Sequence, residues 1–153
     1  MMKAITHLAM FAVASTAMIS TAFANTLEGW STDLEKALKD AKAQDKPVLV
    51  EFTGSDWCPP CIAMRKNVFS KKEFVKEASE DFILVELDFP RGDSETAEKN
   101  KPYAEKYKIE GFPTVILLDS NGEEFTRFFA SAHPSVDKFL SHLDTSLKNK
   151  DLD

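Results

Sequence analysis

Apolar residues along the chain fall into short continuous runs and into longer stretches with helical spacing. Three runs are rich in valine, isoleucine, leucine and phenylalanine, at residues 48–53, 82–89 and 115–118. Runs of this length and composition are typical of strands buried in a sheet. A fourth strand is predicted over 124–130, because the Asn121-Gly122 pair before it favours a two-residue hairpin turn.

Helical spacing between these runs predicts helices that end near Gln44, Ser79 and Tyr107. A last helix is predicted to open at Pro134, with one apolar face formed by Val136, Phe139, Leu140, Leu143 and Leu147. A βαβ unit followed by a hairpin and a closing helix indicates a single α/β domain with a mixed sheet.

Two segments have the Ser/Thr-x-x-Glu form of a capping box, Thr32 to Glu35 and Ser70 to Glu73. The first is expected to begin the helix that precedes the first strand. The second is expected to interrupt the helix that follows the cysteines, so we predict a bend near Ser70.

The two cysteines of the chain stand together where the first strand gives way to a helix. Cys58 and Cys61 are separated by Pro59 and Pro60, and the first helical turn tolerates proline because its N–H groups lack intrahelical partners. Cys58 is therefore predicted at a helix N-terminus, with Cys61 one turn later on the same face. The helix dipole and free amides favour a thiolate there, so Cys58 is the predicted exposed nucleophile. Cys61 is close enough to resolve the mixed disulfide that Cys58 forms with a substrate.

A structural disulfide and a metal site are the alternatives to redox chemistry for this pair. A disulfide that closes a two-residue loop removes little chain entropy, so it stabilises a fold poorly. Two cysteines cannot complete a four-ligand zinc site, and His133 and His142 show no ligand spacing relative to them. The spacing favours redox chemistry with no metal, and the sequence shows no nicotinamide or flavin motif that would indicate a cofactor.

Residues 1–24 have the three parts of a secretory signal peptide. A basic start at Lys3 precedes an apolar run from Leu8 to Ile19, and Ala22-Phe23-Ala24 has the form of a cleavage site. The run is too short for a membrane span, which needs about 20 residues. The alternative is an N-terminal core helix. We expect cleavage after Ala24, which leaves residues 25–153 as one exported domain.

The chain is acidic, with a formal net charge of −6, and it contains no basic cluster. This charge pattern argues against nucleic acid and anionic membrane surfaces as partners. Nothing in the sequence requires a dimer, so we expect a monomer.

With these motifs in place, the sequence resembles the thioredoxin superfamily over essentially all of residues 27–148. The resemblance rests on Trp57-Cys58-Pro59-Pro60-Cys61 at a strand-to-helix turn and on Gly111-Phe112-Pro113-Thr114 before the third core strand. Within the superfamily, the chain is most similar to small exported thiol-disulfide reductases and to the C-terminal periplasmic domain of the membrane electron transporter DsbD. The resemblance implies a thioredoxin fold, with a central mixed sheet flanked by helices, and a location in the bacterial periplasm.

The resemblance also implies roles for single residues. Cys58 resembles the attacking thiol of the family, and Cys61 resembles the resolving thiol. Pro113 resembles the cis-proline that faces the cysteines, which would leave the backbone of Phe112 free to pair with an extended substrate strand. The alternative is an ordinary trans proline at the start of a strand.

Glu51 occupies the strand position at which thioredoxins carry an acidic residue beneath the resolving cysteine. Here the residue is glutamate rather than aspartate, and the turn before Trp57 is one residue longer. A buried carboxyl would have a raised pKa and could accept the Cys61 proton, whereas the alternative is a solvated glutamate at the strand end. Trp57 and Phe112 are expected to form an apolar rim for client polypeptides, with core packing as the alternative for Trp57.

The two residues between the cysteines bear on the direction of electron flow. Pro59 and Pro60 bring no positive charge to Cys58 and remove two N–H donors from the helix start. We therefore expect a reductase of client disulfides that receives its electrons from another protein, such as a membrane transporter of the DsbD type. The alternatives are a disulfide isomerase or oxidant and, in a different class, a binding module whose cysteines are inert.

Overall fold

The computed structural model describes residues 26–152, and the predicted signal peptide lies outside them. Its helices are α1 (Leu34–Gln44), α2 (Pro59–Met64), α3 (Lys72–Asp81), α4 (Ser94–Lys106) and α5 (Val136–Lys150). Its strands are β1 (Val48–Thr53), β2 (Ile83–Asp88), β3 (Thr114–Leu118) and β4 (Glu124–Phe129). A π-helical segment, Arg65–Phe69, continues α2, and a short 3-10 turn, Ala130–Ala132, follows β4. Within residues 26–152, no helix has the length and apolar character that a membrane crossing requires.

The four strands form one mixed sheet in the order β2-β1-β3-β4. β1 pairs in parallel with β2 and antiparallel with β3, and β3 pairs antiparallel with β4. Because β1 has a neighbour on each side, all six of its residues are buried. This architecture confirms the predicted fold class, and it places the cysteines just beyond the C-terminal end of the central strand.

Alternate residues of β1 face two different layers of helices. Leu49 lies in an apolar cluster with Met64 and Phe69, which come from the helix that follows the cysteines. Val50 and Phe52 lie in a second cluster, which includes the buried residues of α1. Glu51 stands between Val50 and Phe52, so its side chain is on the face that α2 covers.

Neither predicted capping box forms. Asp33, not Thr32, is the N-cap of α1, and its carboxylate accepts a hydrogen bond from the Lys36 N–H at 2.9 Å. Helix α3 begins after Lys71 without a side-chain cap. The bend near Ser70 is nevertheless confirmed, because the π-helical segment ends at that residue.

The predicted two-residue hairpin turn is wrong, because residues 119–123 all lie between β3 and β4. The Asp119 carboxylate accepts hydrogen bonds from the N–H groups of Asn121 and Glu123, at 2.8 and 2.9 Å. Gly122 has a positive φ of 83°, which a glycine adopts without steric cost. The aspartate before the Asn-Gly pair therefore builds a wider loop than that pair alone indicates.

Two histidines join α5 to the end of the sheet. His133 and His142 stack with their ring centroids 3.9 Å apart, and His142 also meets the ring of Phe128 edge-on at 4.3 Å. Burial lowers the pKa of His142, and the charge of His133 lowers it further. Both effects disfavour the charged form of His142 in the folded protein.

Acidification is expected to weaken the folded state through His142. Because its folded pKa lies below the unfolded value, its contribution is fully present above about pH 6.5 and is lost as the pH falls below it. The free energy of unfolding of wild type and His142→Phe, measured in urea between pH 7.5 and 5.5, checks this. The free energy of unfolding of His142→Phe should rise relative to that of wild type as the pH falls. A difference between the two proteins that does not change with pH would contradict the prediction.

Candidate active site

Cys58 and Cys61 form a disulfide at the start of α2, with their Cα atoms 5.2 Å apart. Cys58 is the N-cap residue of α2, as predicted, and its carbonyl accepts a hydrogen bond from the Ile62 N–H at 3.0 Å. Cys58 is only 4% exposed and Cys61 is fully buried. The predicted exposure of Cys58 is therefore wrong for the disulfide form, in which its sulfur is bonded to a buried partner.

The peptide bond between Phe112 and Pro113 is cis, which confirms the predicted isomer. The Pro113 carbonyl accepts a hydrogen bond from the Ala130 N–H at 2.9 Å, which fastens the turn to the end of β4. Phe112 precedes β3 and makes no ladder hydrogen bond with β1, since the pairing ends at Thr114.

Trp57 and Phe112 meet in an edge-to-face contact with ring centroids 5.9 Å apart. Both side chains are half-buried, and Phe89 stacks on Phe112 at 5.1 Å. A Cβ atom at Gly54 would lie 2.6 Å from the Trp57 indole, so glycine lets the ring fold back over its own turn. The predicted aromatic pair is thus present, and Phe89 extends it.

A segment that sequence reasoning did not assign to the site, residues 88–92, is tied directly to the redox turn. The Asp88 carboxylate accepts hydrogen bonds from the Ser55 N–H and hydroxyl. The Trp57 indole N–H donates to the Phe89 carbonyl at 2.8 Å. The Asp56 carboxylate accepts hydrogen bonds from the N–H groups of Arg91 and Gly92, at 2.9 and 2.8 Å. These contacts make residues 88–92 one wall of the site.

Glu51 is buried, as predicted, and only 1% of it is exposed. Neither carboxyl oxygen has a hydrogen-bond partner among the residues that the structure describes. Burial raises the pKa of Glu51 well above its usual range, and the negative charge of Glu86 adds to the rise. Both effects favour the protonated carboxyl over the carboxylate.

Buried Glu86 and half-buried Arg65 are further groups that sequence reasoning missed. Glu86 is 3% exposed and lies directly beside Glu51 in the parallel register of β2 and β1. Its carboxylate is paired with the Arg65 guanidinium, which comes from the residue four positions after Cys61. A single glutamate inside the apolar run at 82–89 was the available signal, since a charge buried in a strand requires a partner.

This arrangement can carry out thiol-disulfide exchange with proton transfer. A dithiol on the first turn of a helix supplies an attacking and a resolving sulfur. A buried carboxyl with a raised pKa, on the same side of the sheet, can exchange a proton with the resolving sulfur. Among residues 26–152, no group of three or more metal-ligating side chains is placed to hold a metal ion.

A family model described as a thioredoxin-like domain matches residues 34–146. The chain belongs to the thioredoxin-like family. One relative of this thioredoxin-like protein is the disulfide bond reductase DsbH of Chlamydia pneumoniae, which is 36% identical over 101 residues, 64% of this chain and 60% of that protein. Another is the thiol:disulfide interchange protein DsbD of Yersinia pestis, which is 29% identical over 106 residues, 69% of this chain and 17% of DsbD.

The thioredoxin-like fold is matched by a solved structure described as DsbH oxidoreductase. The match has a TM-score of 0.69 and 30% sequence identity, and it covers 92% of this chain and 95% of the other. The chain spans about three fifths of the first of the two relatives and under a fifth of the second. Together these matches confirm the predicted superfamily and both groups within it.

Proposed function

We propose that this protein is an exported thiol-disulfide oxidoreductase that reduces disulfides in client proteins. The observation that carries the proposal is the Cys58–Cys61 pair at the N-terminus of α2, in a thioredoxin-like fold. The relative DsbH is named a disulfide bond reductase, and DsbD is named for thiol:disulfide interchange. The proposed domain is residues 25–153, and export rests on the signal-peptide pattern before Asn25.

The reaction begins with both cysteines reduced. The Cys58 thiolate attacks one sulfur of a client disulfide, so the client S–S bond breaks and one client sulfur leaves as a thiolate. Cys61 then gives its proton to Glu51 and attacks the Cys58 sulfur. The Cys58–Cys61 disulfide forms, and the second client sulfur leaves. The client has gained two electrons, and the protein has lost two.

Regeneration runs through the same groups in reverse. A dithiol protein donor attacks the Cys58 sulfur, and Cys61 leaves as a thiolate that takes the proton held by Glu51. The second donor thiol then releases Cys58. Burial of Glu51 raises its pKa and so favours the protonated carboxyl, which is the form that this half of the cycle uses. We propose a protein of the DsbD kind as the donor.

The reduction potential of the pair is expected to be near −250 mV or below, in the range of reducing thioredoxins. Pro59 and Pro60 occupy the first two positions of α2, so neither residue offers an N–H group to the Cys58 thiolate. A thiolate with less stabilisation makes the reduced form less favourable and the protein more reducing. Equilibration of residues 25–153 against glutathione and dithiothreitol buffers gives the value.

A potential of about −120 to −180 mV would instead indicate an oxidant or an isomerase. The control is a variant with both Cys58→Ser and Cys61→Ser, assayed for reduction of a disulfide peptide. Reductase turnover should be lost in the variant. Equal effects of wild type and variant on a partner would contradict the redox proposal and support a binding module.

A further inference from the structure

The wall formed by residues 88–92 is held to the redox turn at several points. Asp88 binds Ser55, Trp57 binds the Phe89 carbonyl, and Asp56 binds two consecutive backbone N–H groups. A Cβ atom at Gly92 would lie 3.2 Å from the Asp56 carboxylate, so this glycine lets the backbone approach closely. Because each contact joins the two segments directly, a side chain on this wall keeps a defined position beside the cysteines.

Arg91 is the exposed cation on this wall. Its guanidinium carbon lies 4.5 Å from the centroid of the Trp57 ring, in a cation–π contact. Stacking uses the face of the guanidinium and leaves its N–H groups, which lie in the plane, available for a carboxylate. Among the residues that the structure describes, Arg91 forms no ion pair.

The carboxylates of Asp56 and Asp93, which lie near Arg91, already accept hydrogen bonds from backbone N–H groups. Asp56 accepts from two backbone N–H groups, and these hydrogen bonds lower its pKa, with a smaller contribution from the charge of Arg91. Asp93 is the N-cap of α4 and accepts from the N–H groups of Glu95 and Thr96, at 3.1 and 3.2 Å. Both aspartates are therefore oriented toward backbone amides, while Arg91 faces solvent above Trp57.

We propose that Arg91 is a specificity-determining residue, which favours client disulfides with a carboxylate side chain next to the cysteine that is attacked. The Arg91 guanidinium lies over the ring of Trp57, which directly precedes Cys58. An extended client bound at the rim formed by Trp57 and Phe112 therefore passes close to the guanidinium. The chain has a net charge of −6, which repels acidic clients, and the Arg91 guanidinium offsets that repulsion locally. This inference rests on the proposed reductase function.

Three disulfide peptides that differ only in the residue next to the attacked cysteine (aspartate, asparagine or lysine) test the proposal. Reduction of each by residues 25–153 gives kcat/KM at low and at high salt. Wild type should favour the aspartate peptide over the lysine peptide by about two- to fivefold at low salt, which is the size expected of a solvent-exposed ion pair. High salt should reduce the preference because it screens the pair.

Arg91→Gln should remove the preference, and Arg91→Lys should keep most of it. Lys42→Gln is the matched control, since it also removes one exposed positive charge. Lys42 lies in the last turn of α1, before the start of β1, whereas the cysteines follow the other end of β1. Far-UV circular dichroism and urea unfolding verify that each variant keeps the native fold. The control should retain the full preference.

Three results would overturn the inference, and they are distinguishable. Reduction of all three peptides at equal rates by wild type would refute the role of Arg91 and leave the reductase proposal standing. Reduction of none of the peptides would refute the reductase proposal itself. A preference that persists in Arg91→Gln would assign it to another group and would also refute the role of Arg91.

Discussion

Replacement of Arg65 by methionine is expected to destabilise the protein by about 3 kcal/mol at pH 8. The guanidinium is the ion-pair partner of Glu86, which is 3% exposed and lies beside Glu51 in the sheet. Methionine fills much of the same space but leaves two buried carboxyls side by side without a positive charge. Either Glu86 stays charged in an apolar site or it takes up a proton, and both cost free energy.

Urea unfolding of wild type and Arg65→Met at pH 5 and pH 8 measures this effect. Burial raises the pKa of Glu86 to about 6, although Arg65 lowers it. At pH 5 Glu86 is therefore mostly neutral in both proteins, so the loss of Arg65 should cost less there than at pH 8. Lys148→Met is the control, because it removes an exposed ion pair with Asp144 and should cost below about 1 kcal/mol.

Arg65→Met combined with Glu86→Leu should recover most of the stability, since the unpaired carboxyl is gone. An Arg65→Met variant that unfolds like the control at both pH values would show that the ion pair contributes nothing to the fold.

Replacement of Glu51 by glutamine is expected to slow the reduction of client disulfides by about 100-fold, the usual range for loss of an acid or base group. Glutamine keeps the size of the side chain but cannot accept the proton of Cys61 or return it. Stopped-flow measurement of the decay of the mixed disulfide isolates the step in which Cys61 attacks. Glu77→Gln, at an exposed position of α3, is the matched control and should leave this step unchanged.

Glu51→Gln slows the reaction, but it should stabilise the fold relative to wild type as the pH rises. The folded pKa of Glu51 is raised, so the folded state binds a proton that the unfolded state releases. The contribution of the protonated form is complete below about pH 4.5 and is lost as the pH rises through the folded pKa. Glu51→Gln cannot lose a proton, so its stability relative to wild type should rise between pH 5 and pH 9.

A purely structural role for Glu51 would produce a different result. The stability difference would still depend on pH, but the decay of the mixed disulfide would keep its wild-type rate and pH profile. An unchanged decay rate would therefore refute the proton transfer and leave the burial of Glu51 in place.

Local patterns along the sequence determined the elements and the centre of the site. The β1 strand, the proline-containing start of α2 and the cysteine pair follow from neighbouring residues, because backbone propensity and helix-end chemistry act over a few positions. The position of Pro113 was found in the same way, through a short motif. Glu51 was found because a charged residue inside an apolar strand requires an explanation.

Other local patterns predicted the wrong partner. Asp33 rather than Thr32 caps α1, and Asp119 widens the hairpin around Gly122. At α1 two adjacent polar residues could cap the same backbone groups, and in the hairpin a side chain two residues before the Asn-Gly pair accepts hydrogen bonds from the loop backbone. The backbone conformation at each site determined which side chain binds the backbone N–H groups, and that conformation depends on the packing of the flanking elements.

Only the tertiary structure showed which distant residues complete the site. Arg65 meets Glu86 across 21 residues, and Trp57 reaches the Phe89 carbonyl across 32 residues. The placement of Arg91 over Trp57 depends on the same return of the chain after β2. These contacts exist because the parallel pairing of β1 and β2 brings the ends of both strands to one edge of the sheet. No local pattern encodes that edge, since it arises from packing of the two strands and the helices between them.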